Sequence, residues 1–146
     1  MHPNGYDPER RAEQRAALRR LRRAQLAEAR RIRQAVAATC LLTLAHLLSP
    51  CRVAARAEAR QVAMYLMRTR LTWPRPTRNG AFPAARIGRL LGGRDHSTVI
   101  HDVAVIVGRL DSGQPKDASL RQMVRVLAAT LDATYEAEGL PRRRAA

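Results

Sequence analysis

The segment Gly92-Gly93-Arg94-Asp95-His96-Ser97-Thr98-Val99 joins a glycine turn to the start of a helix. Its two glycines suit the positive-φ or close-packed backbone of a sharp corner between helices, and Asp95 is a residue type that caps a helix N-terminus. Beyond this stretch, apolar residues recur at helical spacing and predict an inward-facing stripe on the next helix. The stripe consists of Val99, Val103, Ile106, Val107 and Leu110. The sequence therefore predicts a tight turn that leads into an amphipathic helix.

The other side of this helix is polar near its N-terminus. Four side chains are expected to point outward there, at the place where helix-turn-helix proteins contact base edges and phosphates. They are His96, Ser97, Thr98 and His101. We interpret residues 84–91 as a short helix, 92–94 as the turn, and Asp95 to about Leu110 as a DNA-recognition helix.

The N-terminal part of the chain is predicted to hold a charged helix and then a more apolar one. Residues 1–8 are expected to be disordered, and Glu9–Arg31 is expected to be a basic, partly exposed helix. Residues 32–48 carry a dense apolar stripe, so we expect the core to begin there and the apolar run Cys40–Leu48 to be a buried helix segment. This run has less than half of the roughly 20 residues that a membrane-spanning helix needs.

Ser49-Pro50 is predicted to end that helix, and two further helices complete the core. The first is expected to end near Leu71 and has one face made of Ala59, Val62, Ala63, Leu66 and Arg70. Residues 73–82 are predicted to form an irregular, solvated loop with a half-buried Trp73. The last helix carries Leu120, Met123, Val124, Leu127 and Leu131. The predicted organisation is a disordered start and basic helical extension over 1–31, a helix-turn-helix domain over 32–131, and a basic tail over 132–146.

The charge of the chain favours a polyanionic partner. Among 146 residues, 27 are lysine or arginine and 12 are acidic, which gives a formal net charge of +15. A protein of this charge is expected to bind DNA in a salt-sensitive manner. Charge alone does not exclude an anionic membrane surface as the partner. A genome rich in G and C is a further explanation, in which some arginines are only solvated surface. With two cysteines and no export signal at its start, the sequence is expected to belong to a reducing cytoplasm without a disulfide framework.

Residues 92–101, which read Gly-Gly-Arg-Asp-His-Ser-Thr-Val-Ile-His, resemble the signature of the C-terminal DNA-binding domain of the bacterial chromosomal replication initiator DnaA. The resemblance extends back through Arg60-Gln61-Val62-Ala63-Met64-Tyr65-Leu66 and residues 32–49, and it covers roughly residues 32–131. It implies an all-α helix-turn-helix bundle, which agrees with the periodicity of the sequence.

The resemblance also implies the roles of individual residues. In this family the positions of Asp95, His96 and Ser97 read bases in the major groove, and those of Thr98 and His101 support phosphate and base contacts. The family's basic loop sends an arginine into the minor groove, and the gapless alignment places Arg52 at that position. Backbone contacts are expected from Arg56, Arg60, Gln61, Arg94 and His101.

Three departures from the family pattern are visible in the sequence. Glu58 stands where a positive charge is common, the loop over residues 72–83 is longer, and Ala104 and Val105 replace positions that often carry basic side chains. These departures concern affinity and base preference more than the fold.

Several chemistries are not expected of this chain. The sequence holds no Gly-x-x-x-x-Gly-Lys-Ser/Thr motif, so we expect no ATP binding and no enzyme activity. The spacing of Cys40, His46 and Cys51 differs from that of zinc sites, so neither a metal nor another cofactor is expected.

The sequence predicts specific binding of double-stranded DNA at initiator-type boxes, with a regulatory role in replication or transcription. Replication proteins are further candidate partners, and no small-molecule substrate is expected. Two alternatives stay open. One is an adaptor whose basic helix over Glu9–Arg31 docks a protein partner, and the other is a nonspecific binder of DNA or of an anionic membrane surface.

Overall fold

The computed structural model describes residues 5, 7–76 and 79–138, and most of these residues are helical. The elements are α1 (Pro8–Thr39), α2 (Leu44–Leu48), α3 (Ala54–Arg70), β1 (Thr72–Pro74), β2 (Asn79–Ala81), α4 (Ala84–Leu90), α5 (His96–Asp111), a 3₁₀ turn (Pro115–Asp117) and α6 (Ala118–Ala137). The predicted all-α helix-turn-helix class is confirmed. The predicted disorder of residues 1–8 lies largely outside the described residues, as does the arginine cluster at 142–144.

The core lies between α1, α3, α4, α5 and α6. Four members of the predicted α3 face, namely Ala59, Val62, Ala63 and Leu66, are buried. On α5, Val99 and Ile106 are fully buried, and Val103 and Leu110 pack against the core. The prediction for Val107 was wrong, because 39% of this residue is exposed. It follows Ile106 by about 100° around the helix and so leaves the buried stripe.

Helix α1 is one uninterrupted element that crosses the expected boundary at residues 31 and 32. It begins at Pro8, where the Asp7 carboxylate accepts hydrogen bonds from the amides of Glu9 and Arg10. Gln25, Glu28 and Ala29 are already buried. The core therefore begins about two turns earlier than the sequence predicted.

The prediction of one buried helix through the apolar run Cys40–Leu48 was wrong. The chain turns at Leu41, which has a φ of 54° and is 93% exposed. The amide of Leu42 donates to the carbonyl of Ala37 at 2.8 Å, and that of Leu41 donates to the carbonyl of Ala38 at 3.2 Å. These two bonds make a Schellman end, which usually has glycine at the position of Leu41. Because leucine stands there instead, the sequence carried no signal for the break.

Residues 72–74 and 79–81 pair as the two strands of a small hairpin, where the sequence predicted an irregular loop. Strands β1 and β2 are antiparallel, and Trp73 pairs with Gly80. Trp73 is 6% exposed and meets the buried Phe82 edge to face at 5.6 Å. The amide of Thr72 donates to the Gln25 side chain at 2.9 Å, which ties the hairpin to α1. Trp73 thus belongs to the core, and its predicted half-solvated position was wrong.

Helix α6 packs through the predicted stripe, with Leu120, Leu127 and Leu131 buried. It continues to Ala137, so the tail expected from residue 132 begins in the structure as helix. In the described part of the chain, none of the helices combines the length and the apolar character needed to cross a membrane.

Candidate nucleic-acid interface

The corner between α4 and α5 has the tight geometry that the two glycines predicted. Gly92 and Gly93 have φ values of 90° and 78°. The amides of Gly93 and Arg94 both donate to the carbonyl of Gly88, at 3.0 and 2.9 Å. A β-carbon on Gly92 would stand only 2.2 Å from the carbonyl oxygen of Leu48. The corner is therefore packed directly against the end of α2.

Asp95 caps the N-terminus of helix α5. Its carboxylate accepts a hydrogen bond from the amide of Ser97 at 3.2 Å and another from the Ser97 hydroxyl. The Ser97 hydrogen bonds hold the pKa of Asp95 below its usual value, so the carboxylate is ionised at neutral pH. The other carboxylate oxygen lies 3.3 Å from Nδ1 of His96. Both side chains remain about two-thirds exposed and accessible to a ligand, at 64% and 65% respectively.

The outward face of α5 carries the polar residues that the sequence predicted. His96, Ser97, Thr98 and His101 are all exposed. The structure adds Ile100, which is 55% exposed and lies one turn beyond His96. Sequence reasoning missed this residue because an aliphatic side chain beside the Val99 stripe looks like part of the core. Its signal was its position four residues after His96, which places it on the polar face.

A basic loop over residues 49–53 joins α2 to α3 and is held by two arginines. Nη1 of Arg60 donates to the carbonyl of Ser49 at 3.1 Å, and Nη2 donates to the carbonyl of Cys51. Nη2 of Arg94 donates to the same Ser49 carbonyl at 2.7 Å. Burial and the charge of Arg94 lower the pKa of Arg60. The loop is thereby fastened to the helix-turn-helix corner.

Arg60 and Gln61 were both expected to contact the DNA backbone, and in the structure both make hydrogen bonds within the protein. Arg60 is only 5% exposed and its guanidinium faces loop carbonyls. Nε2 of Gln61 donates to Oδ1 of Asp102 at 3.2 Å and so links α3 to α5. The structure shows both side chains bound within the protein, which the sequence did not indicate.

Arg52 and Arg56 lie on the solvent side of the same region. Arg52 is exposed, and Arg56 is half-buried in the first turn of α3. A hydrogen bond from the Val53 amide and the charge of Arg56 lower the pKa of the Cys51 thiol. The guanidinium groups of Arg52 and Arg56 place positive charge at the surface of this region, which favours an anionic ligand.

Glu58, the acidic departure in this region, is bound by Arg109. Its Oε2 atom lies 2.7 Å from Nη1 of Arg109, whose Nε donates to Asp117 at 2.8 Å. Arg109 thus offsets part of the negative charge of Glu58, and the repulsion of a nearby phosphate by Glu58 is reduced.

Within the described residues, no group of three or more histidine, cysteine, aspartate or glutamate side chains has the geometry to hold a metal ion. Cys40 and Cys51 are free thiols.

A short helix, a glycine corner and a capped second helix with an exposed polar N-terminal face define the helix-turn-helix class. Residues 29–106 match the family described as bacterial dnaA protein helix-turn-helix, and the chain belongs to this family. The resemblance found in the sequence is confirmed. The match includes the last part of α1, which agrees with the early beginning of the core.

Relatives of this chain bear the name chromosomal replication initiator protein DnaA, and three of them show the extent of the similarity. The one from Leptothrix cholodnii is 36% identical over 100 residues, which make up 68% of this chain and 17% of the relative. The one from Sphingopyxis alaskensis is 42% identical over 96 residues, or 66% and 19% of the two chains. The one from Thermomicrobium roseum is 37% identical over 90 residues, or 62% and 17%. The chain therefore spans less than a fifth of the length of these relatives.

Proposed function

We propose that this protein binds double-stranded DNA specifically at sites of the type that DnaA initiators recognise. The observation that carries the proposal is the exposed first turn of α5, which presents an ionised carboxylate and an imidazole beyond a tight corner. With this turn in the major groove, Asp95 accepts a hydrogen bond from a cytosine amino group and His96 packs against a thymine methyl. Ser97 and Thr98 lie beside them for further base and phosphate contacts.

The basic loop supplies the second contact region. Arg52 is exposed and is assigned to the minor groove, while Arg56 and His101 are assigned to phosphates. Arg94 is assigned both to a phosphate and to positioning the loop, because its Nη2 and Nε already donate to the carbonyls of Ser49 and Leu91. In this proposal Arg60 acts differently from the sequence prediction, because it positions the loop through main-chain carbonyls. Gln61 acts in the same indirect way by holding α5 against α3.

The proposed role is occupancy of DNA without chemistry. The relatives are replication initiators by name, and the matched segment is their helix-turn-helix. The sequence holds no phosphate-binding Gly-x-x-x-x-Gly-Lys-Ser/Thr loop, so the chain is proposed to act without nucleotide hydrolysis. Bound at such sites, it regulates replication initiation or transcription by competing with or recruiting other replication proteins. Its proposed location is the cytoplasm, on the nucleoid.

The decisive test compares binding to a duplex that carries an initiator box with binding to a scrambled duplex. Fluorescence anisotropy over a salt series measures both affinities for the wild type, His96→Ala and Asp95→Ser. Serine retains the helix cap but is too short to reach a base, so it separates base contact from helix stability. His46→Ala on α2 is the matched control, because His46 is also exposed.

We expect the wild type to prefer the box, and each recognition variant to lose roughly 5- to 150-fold in affinity for it. His46→Ala should bind as the wild type does. Equal and steeply salt-dependent binding to both duplexes would refute specific recognition and leave phosphate attraction alone. Unchanged box binding by both variants would refute the role of α5.

A further inference from the structure

A cluster of arginines surrounds the indole of Trp73, away from the residues assigned to the box. The guanidinium carbon of Arg86, on α4, lies 4.2 Å from the centre of the indole ring. That of Arg22, on α1, lies 5.1 Å from the same ring, and its Nε donates to the carbonyl of Pro74 at 3.1 Å. Two cationic side chains from different helices therefore meet on one aromatic ring.

Arg75 brings a third guanidinium to this place. Its Nε atom lies 3.4 Å from the position that a β-carbon on Gly80 would take, and Gly80 is the hairpin partner of Trp73. Arg75 itself is exposed, and Arg22 and Arg86 are half-buried. We call Arg22, Arg75 and Arg86 the hairpin arginines.

The hairpin arginines have no carboxylate partner in the described part of the chain. The ion pairs found there involve Arg31, Arg70, Arg109 and His96. The hairpin is already held by other bonds, from Thr72 to Gln25 and from Arg68 to the Phe82 carbonyl. Three positive charges gathered without a counter-charge repel one another, and an anion with several acceptor oxygens relieves that repulsion.

The position of the cluster indicates which anion it meets. Arg86 lies on α4, the first helix of the helix-turn-helix, and in this class that helix crosses the DNA backbone. One turn further along α4, Arg89 is exposed, and α1 carries the exposed Arg15 and Arg19 before Arg22. A basic surface thus continues from α4 over the hairpin to α1.

We infer that the hairpin arginines bind backbone phosphates of DNA that flanks the box. The inference rests on the proposed function and extends the DNA footprint beyond α5 and the basic loop. The contact carries no base specificity, because it is made to phosphates only. It adds affinity and salt dependence, while the base contacts are made by α5 and the basic loop.

The first test uses Trp73, the only tryptophan of the chain, as a reporter inside the cluster. Trp73 emission is titrated with two duplexes, one limited to the box and one with about one helical turn, roughly 10 base pairs, added on each side. We expect the longer duplex to bind more tightly and to change the emission further. Equal affinity and equal emission with both duplexes would overturn the inference.

The second test removes charge from the cluster and measures the salt dependence on the long duplex. The slope of log Kobs against log salt is negative, and each lost phosphate contact reduces its magnitude by about one. Arg75→Ala is therefore expected to reduce the magnitude by about one, and Arg75→Ala combined with Arg86→Ala by about two. Arg125→Ala, on α6, is the charge-matched control and should keep the slope. Arg75→Ala removes only an exposed side chain, so it remains informative if the double variant is unstable.

The two proposals fail in different ways. A wild type that prefers the box while Arg75→Ala keeps the wild-type slope overturns the inference and leaves the proposed function standing. A wild type with no preference for the box overturns the proposed function, whatever the slopes are. A melting temperature lowered in Arg86→Ala with an unchanged slope assigns the cluster a structural role alone and overturns the inference.

Discussion

Replacing Gly92 by alanine tests the close contact between the helix-turn-helix corner and the end of α2. Gly92 has a φ of 90°, and a left-handed backbone costs a residue with a β-carbon roughly 1–2 kcal/mol. The new β-carbon would also stand 2.2 Å from the Leu48 carbonyl oxygen, whereas real β-carbons essentially never approach closer than 3.0 Å. The corner must therefore move by nearly 1 Å, which adds roughly 1–3 kcal/mol.

The two costs together predict that Gly92→Ala lowers the free energy of unfolding by about 3 kcal/mol. For a chain of this size, that loss corresponds to a melting temperature lower by about 10 °C. Thermal unfolding followed by circular dichroism measures it. Binding to the box should weaken as well. The displaced Leu48 directly precedes Ser49, whose main-chain carbonyl accepts hydrogen bonds from Arg60 and Arg94.

Gly93→Ala is the matched control for this prediction. Gly93 also has a positive φ, of 78°, but nothing lies within 4 Å of the position its β-carbon would take. It should lose only the backbone cost of roughly 1–2 kcal/mol. Equal losses in the two variants would show that the contact with Leu48 is not tight, and the reasoning about the corner would be refuted.

Three further predictions concern the turn, the buried ion pair and the basic loop. Leu41→Gly should raise the free energy of unfolding by about 1 kcal/mol in urea titrations, because Leu41 is 93% exposed and holds a left-handed conformation. Arg109 holds the pKa of Asp117 below its usual value, so this pair stabilises the fold at neutral pH and the stability is lost as the pH falls through that lowered pKa. Asp117→Asn should therefore flatten the acid side of a plot of urea midpoint against pH. Arg60→Gln should weaken box binding without changing its salt slope, since Arg60 binds carbonyls such as that of Ser49.

Each of these predictions has an outcome that contradicts it. A Leu41→Gly protein less stable than the wild type would mean that the leucine side chain makes a stabilising contact at the turn. An unchanged acid limb in Asp117→Asn would show that the pair with Arg109 does not set the pH dependence. A salt slope whose magnitude falls by about one in Arg60→Gln would show that Arg60 binds a phosphate after all.

The elements that the sequence predicted well are those whose signals are local. Two adjacent glycines, a capping aspartate and an apolar stripe lie within a single stretch of chain, so the corner and α5 followed from residue types and spacing. The exposure of His96 and Thr98 followed from the same periodicity. The family resemblance then assigned roles to these positions.

The features that the sequence did not predict depend on contacts between distant residues. Trp73 is buried because α1 and α4 bring Arg22 and Arg86 over its ring, and nothing near it in the chain signals this. The partners of Arg60 are main-chain carbonyls, which no residue type reveals. Leu41 breaks the helix although its side chain favours helix.

The distribution of charge separates specificity from affinity in the proposed complex. Helix α5 carries two acidic residues, Asp102 and Asp111, and a single arginine. That arginine, Arg109, is bound by Glu58 and Asp117, so it does not provide a free charge for phosphate. In the proposed complex α5 reads bases, but with this charge it adds little of the counterion release on which DNA affinity depends. On this proposal most of the affinity comes from Arg52, Arg56 and the hairpin arginines, so substitutions on α5 and on the hairpin should change different measured quantities.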